Sequence, residues 1–167
     1  MKLPQIESLM KLPQIESLRR SLKLPPLLES MIASGTWTHP GADVLRRAVP
    51  FITDPLIVLK TFDEMLFESG PIIGHDKIED ERFSEYRGSQ IGKRDLPWID
   101  VEKTLFIMCN ERLGDDVGIA LDYRYSSTEP CVVGGDWHSK SRGIIYRLVA
   151  NSFAEFAEKI GLPSGSA

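Results

Sequence analysis

Residues 104–124 read TLFIMCNERLGDDVGIALDYR. Thr104 to Cys109 is a solid apolar run of strand length, consistent with a central strand covered on both faces. The polar loop Asn110-Glu111-Arg112-Leu113-Gly114-Asp115-Asp116 follows. Val117, Ile119, Leu121 and Tyr123 then alternate with Gly118, Ala120, Asp122 and Arg124, the period-two pattern of a half-buried strand. Working outward, a turn with Ser126, Ser127 and Pro130 leads to a third strand over Cys131 to Gly134. The loop Gly135 to Arg142 leads to a fourth, over Ile144 to Val149. Four strands within residues 103–150 joined by short polar connections predict an antiparallel meander. A helix over 152–160 closes the pattern. Ser152 and Glu155 form a capping box, Phe153, Phe156, Ala157 and Ile160 make one apolar face, and Gly161 and Pro163 stop it.

Upstream of the strands the texture is helical. Pro26 to Ala33 predicts a first helix, stopped at Ser34-Gly35. Trp37 and the turn His39-Pro40-Gly41 follow, then a short helix over Asp43 to Ala48. Asp54-Pro55 reads as the start of the longest helix, Leu56 to Ser69, with Leu56, Leu59, Phe62 and Leu66 at helical spacing. Residues 72–95 read as a polar surface excursion with a short helix around Lys77 to Tyr86. The fold class is therefore α+β: N-terminal helices, a central antiparallel sheet (meander) and a closing C-terminal helix. One domain is expected over residues 23–163, with a tail at 164–167. Residues 1–22 form an appendage in which Met1 to Leu9 is repeated without change at Met10 to Leu18, with a looser echo at Lys23 to Met31. A tandem duplication, or a start at Met10, accounts for the repeat.

Composition narrows the function. A chain of 167 residues with 42% hydrophobic content suits a single core. Its 24 acidic and 20 basic residues give a net charge of -4, which argues against direct binding of nucleic acid. Runs such as Leu105 to Cys109 are too short to cross a membrane. The N-terminus lacks the basic region and continuous apolar stretch of a secretory signal, so a cytoplasmic location is expected. Cys109 and Cys131 both lie in apolar runs, as buried free thiols do. With one strand between theirs they would sit roughly 10 Å apart, against about 7 Å for a disulfide.

Few groups combine into chemistry. Gly114-Asp115-Asp116 matches the metal-binding turn of viral RNA polymerases, but that fold needs a far longer chain, and a hairpin loop explains the tripeptide. His39, His75 and His138 each lie more than four residues from another His or Cys, so zinc-ligand spacing is absent. The nucleophile-elbow, phosphate-loop and dinucleotide motifs do not occur. A Cys109–His138 nucleophile pair conflicts with the position of Cys109 late in a buried strand. The reading is a non-enzyme without cofactor or metal. In a strict meander the loops after the first and third strands emerge at one end. This gathers Glu111, Asp115 and Asp116 near Asp136, Trp137 and His138, a candidate partner-binding face in which an aromatic anchor sits among acids. Two alternatives stay open: Trp137 folds back on the sheet and the acids are only solvated, or the same end holds a carboxylate-plus-His metal site.

Leu96 to Leu162 also resembles the SUKH superfamily. The resemblance rests on Leu96-Pro97-Trp98, the apolar strand to Asn110, Gly114-Asp115-Asp116, Ala120-Leu121-Asp122, Val132-Val133, Asp136-Trp137 and the segment Val149 to Phe156. Residues 24–70, with Trp37 and His39-Pro40-Gly41, are similar to the helical front of one bacterial branch. Residues 71–95 match less well, and the duplicated N-terminus matches nothing in the family. The resemblance implies an α+β fold with no known catalytic centre and an immunity-type protein that neutralises a toxin, often a nuclease or deaminase, by binding it. A regulatory or scaffold domain with a host protein partner, or a small metal-dependent hydrolase using the acidic end, are the competing expectations.

Overall fold

The computed structural model describes residues 22–69, 96–111, 117–137 and 144–163. In chain order these form α1 (Pro26–Ser34), α2 (Ala42–Ala48), β1 (Leu56–Val58), α3 (Phe62–Ser69), a 3-10 turn (Val101–Lys103), β2 (Thr104–Asn110), β3 (Gly118–Asp122), β4 (Cys131–Trp137), β5 (Ile144–Ala150) and α4 (Phe153–Lys159). The strands make one sheet in the order β1-β2-β3-β4-β5, with every neighbouring pair antiparallel. The fold is α+β, with helices before the meander and one after it.

Three expectations are corrected. Leu56 to Ser69 is not one helix. Its first three residues form β1, because Leu56, Ile57 and Val58 find partners in Asn110, Cys109 and Met108. The Glu111 N–H donates to the Pro55 carbonyl and the Leu59 N–H to that of Ile107, both at 3.0 Å. Once a ladder is available, β-branched Ile57 and Val58 favour strand over helix. The helix starts only after Thr61, whose Oγ1 accepts from the Glu64 N–H at 3.1 Å while the Glu64 carboxylate accepts from the Lys60 N–H at 2.7 Å. The second correction is β3, which is buried on both faces rather than one. It is the middle strand of five, and Asp122 is inside the protein because Arg124 accompanies it. The third is the loop expected from Gly135: Gly135, Asp136 and Trp137 instead continue β4, because β5 offers them partners in Tyr146, Ile145 and Ile144.

The core is continuous from Leu22 to Ile160. Leu22, placed in the appendage by its sequence, already belongs to it. As expected, α4 buries Phe153, Phe156 and Ile160, and Trp37 meets Phe153 edge to face at 5.6 Å. The Ser152 hydroxyl caps α4 by accepting from the Glu155 N–H at 3.1 Å. Two rings lie across the other face of the sheet. Phe106 and Tyr146 are 6.5 Å apart, and the row between them is kept free of side chains by Gly118 paired with Gly135. A Cβ on Gly135 would collide with the Tyr146 ring. Alanine there should cost about 1–3 kcal/mol through overpacking.

Segments outside the sheet tie its borders. The Trp37 indole N–H donates to the Leu59 carbonyl at 2.8 Å. His39 Nδ1 accepts from the Gly41 N–H at 2.9 Å, which leaves Nε2 to carry the proton and donate to the Leu56 carbonyl at 3.0 Å. At the far border the Tyr146 N–H donates to the Pro97 carbonyl. Where β2 shifts register between Phe106 and Met108, buried Ser69 of α3 accepts the Phe106 N–H at 2.8 Å.

Candidate functional site

The register fixes which residues share an end. Cys109, Gly118, Gly135 and Tyr146 stand in one row across β2 to β5. The next row outward is Leu56, Asn110, Val117, Asp136 and Ile145, and beyond it lie Glu111 on the β2 side and Trp137 opposite Ile144. The meander therefore brings Glu111 to the same end as Asp136 and the Trp137 backbone, two strands or roughly 10 Å away. Glu111 is exposed and Asp136 half-buried. Asp115, Asp116 and His138 lie outside the described residues.

Asp54 joins this end, and sequence reasoning missed it. Read as a helix cap, it instead takes a hydrogen bond from the Asn110 amide at 3.0 Å. Buried Asn110 in turn donates its backbone N–H to the Val117 carbonyl at 2.9 Å. Asp54, Glu111 and Asp136 thus stand at one end of the sheet, beside its last row. The only sequence signal for Asp54 was the β-branched pair Ile57-Val58, too short to outweigh the helical spacing that follows it.

The opposite end is polar as well, but closed. Asp122 and Arg124 are paired there with side chains 1% and 3% exposed. Nε of Arg124 donates to both carboxylate oxygens at 3.0 Å, Nη2 to one at 2.7 Å, and the Arg124 backbone N–H adds a fourth bond. Burial alone would lower the Arg124 guanidinium; the hydrogen bonds and charge of Asp122 outweigh it and the net shift is upward. Asp100 caps the 3-10 turn through the Glu102 N–H and holds the Thr104 hydroxyl with its carbonyl. Tyr123 donates to the Lys23 carbonyl at 2.6 Å, and burial raises its phenol above the ordinary range. Cys131, half-buried beside Asp122, has its thiol pushed up to about 11, first by burial and then by the Asp122 charge. Such a thiol is protonated and unreactive at neutral pH. Neither cysteine is in a disulfide. They sit at opposite ends of their strands, Cys109 in the row of Gly118 and Cys131 opposite Asp122.

These positions assign structural work to several chemically capable groups. His39 has both ring nitrogens engaged with backbone, and Asp122 is held by Arg124. Among the described residues no group of three His, Cys, Asp or Glu side chains could hold a metal ion, and no helix is long and apolar enough to cross a membrane. In comparison with known proteins, no family model, no curated protein and no solved structure matches the chain.

Proposed function

We propose that the protein is a non-enzymatic binding module of the bacterial immunity type, which neutralises a nuclease or deaminase toxin domain in the cytoplasm by covering its surface. The observation that carries this reading is the placement of Asp54, Glu111, Asp136 and the Trp137 position along one end of the sheet. The resemblance of Leu96 to Leu162 to the SUKH superfamily supports it independently. An acidic rim complements the basic groove of an enzyme that handles nucleic acid, speeding encounter and selecting register. An aromatic side chain at position 137 would supply the anchor.

The test is a kinetic binding measurement with nuclease and deaminase toxin domains sought among the products of neighbouring genes. Glu111→Lys with Asp136→Lys should slow association about tenfold at low salt, and the gap should close at high salt. Trp137→Ala should mainly speed dissociation, costing about 2 kcal/mol or more. Association and dissociation rates unchanged in both variants would place the interface elsewhere. Turnover by the protein alone would overturn the non-enzymatic reading.

A further inference from the structure

The N-terminal repeat gains a physical meaning from α1. Three stretches share one frame: Pro4-Gln5-Ile6-Glu7-Ser8-Leu9, Pro13-Gln14-Ile15-Glu16-Ser17-Leu18 and Pro26-Leu27-Leu28-Glu29-Ser30-Met31. In each, proline is followed two residues later by Ile or Leu, then Glu-Ser, then Leu or Met. The third copy is α1, and it shows what each position does. Pro26 opens the helix, where its missing N–H costs nothing. Leu28 and Met31, three residues apart, are 0% and 2% exposed, whereas Glu29 and Ser30 face solvent. Glu29 lies in the first turn, where the helix dipole favours an acid. The conserved frame is thus the start signal plus the core-facing pair of α1, and Ile6–Leu9 and Ile15–Leu18 repeat that pair at the same spacing.

We infer that the upstream copies are replacements for α1 within the same chain, able to fill the Leu28 and Met31 positions in the core with Ile15 and Leu18, or with Ile6 and Leu9. Residues 19–36 join the second copy to Trp37, and extended they reach roughly 60 Å, ample for the exchange. What gives α1 precedence lies after the frame. Gly35 ends it in the left-handed region (φ 74°), and the Thr36 and Trp37 N–H groups both donate to the Met31 carbonyl, at 2.9 and 3.1 Å. The second copy continues into Arg19-Arg20-Ser21 and the first runs into Pro13, so neither carries that C-cap. The copies therefore enter only when α1 is weakened.

The experiment uses the full chain. Leu28→Asp evicts α1, and hydrogen exchange followed by mass spectrometry should then show amides of residues 10–18 protected at least tenfold more than in the wild type. Adding Ile6→Asp and Ile15→Asp should abolish the gain. A folded Leu28→Asp chain with no new protection at 10–18 overturns the inference. Met31→Ala keeps the test open if Leu28→Asp fails to fold. Its denaturant midpoint should drop further when Ile6→Asp and Ile15→Asp are added, while the same pair leaves the wild-type midpoint unchanged. Strictly additive midpoints overturn the inference, as does a rescue that grows with protein concentration, which would put the copy on another molecule.

Discussion

The two ends of the sheet carry the same residue types and put them to opposite uses. At the end where β3 meets β4, Asp122 is inside the protein and four hydrogen bonds from Arg124 leave it little capacity for anything else. At the other end Asp54 and Glu111 touch the sheet lightly, one through the Asn110 amide and one through its own backbone, and their carboxylates stay at the rim. The contrast teaches that an acidic residue beside a strand says little about function until its partner is known. A cation two residues away on the same strand edge turns it into an internal fastener, whereas an amide partner leaves its charge available to another molecule.

Breaking the closed end should have the largest effect. Arg124→Met strands the Asp122 carboxylate in the interior and should cost about 3–5 kcal/mol in denaturant unfolding, whereas the double change Asp122→Leu with Arg124→Met should recover most of that loss. A single substitution as mild as a surface change would mean that water reaches Asp122 and that the ends differ less than described. At the open end, Asn110→Ala removes one buried amide and should cost about 1–3 kcal/mol by the same assay. Cys131 sharpens the contrast through pH. Its folded thiol holds its proton until about 11, while an unfolded cysteine releases it near 8.5. The unfolded state therefore binds fewer protons between those values, and stability should fall as pH rises through that window. Alkylation of the native thiol should stay slow at pH 8, and Cys131→Ala should flatten that part of the pH profile. The smallest effect belongs to Glu111→Lys, expected to move stability by less than about 0.5 kcal/mol while altering association with a partner.

Much of this was legible in the sequence, for reasons that can be named. The runs at 104–109 and 144–149, the alternation after Val117 and the Ser152–Glu155 box each commit a local segment regardless of the rest, and each stands where it was read. β1 was not legible because three residues give no period of their own. The same sequence did hold the correct helix start: Thr61-Phe62-Asp63-Glu64 is a capping box like that of α4, outweighed in the reading by Asp54-Pro55. The buried face of β3 was hidden because Asp122 and Arg124 look like solvent-facing residues until they are seen to neutralise each other. At the candidate site, topology alone put Glu111 and Asp136 at one end, but Asp54 arrives there only through the unforeseen strand.

The borders of the sheet have a consequence for how this molecule behaves in a crowd. A five-stranded meander has two outer strands, and an open outer strand is a template onto which another chain can zip, the first step towards aggregates or fibres. Here neither border is left bare. Trp37 and His39 occupy the Leu56 and Leu59 carbonyls beside β1, and the Pro97 carbonyl takes the Tyr146 N–H on β5. The sheet thus terminates itself on both sides with parts of its own chain that are not strands. Trp37 and His39, on this account, help keep copies of the protein apart.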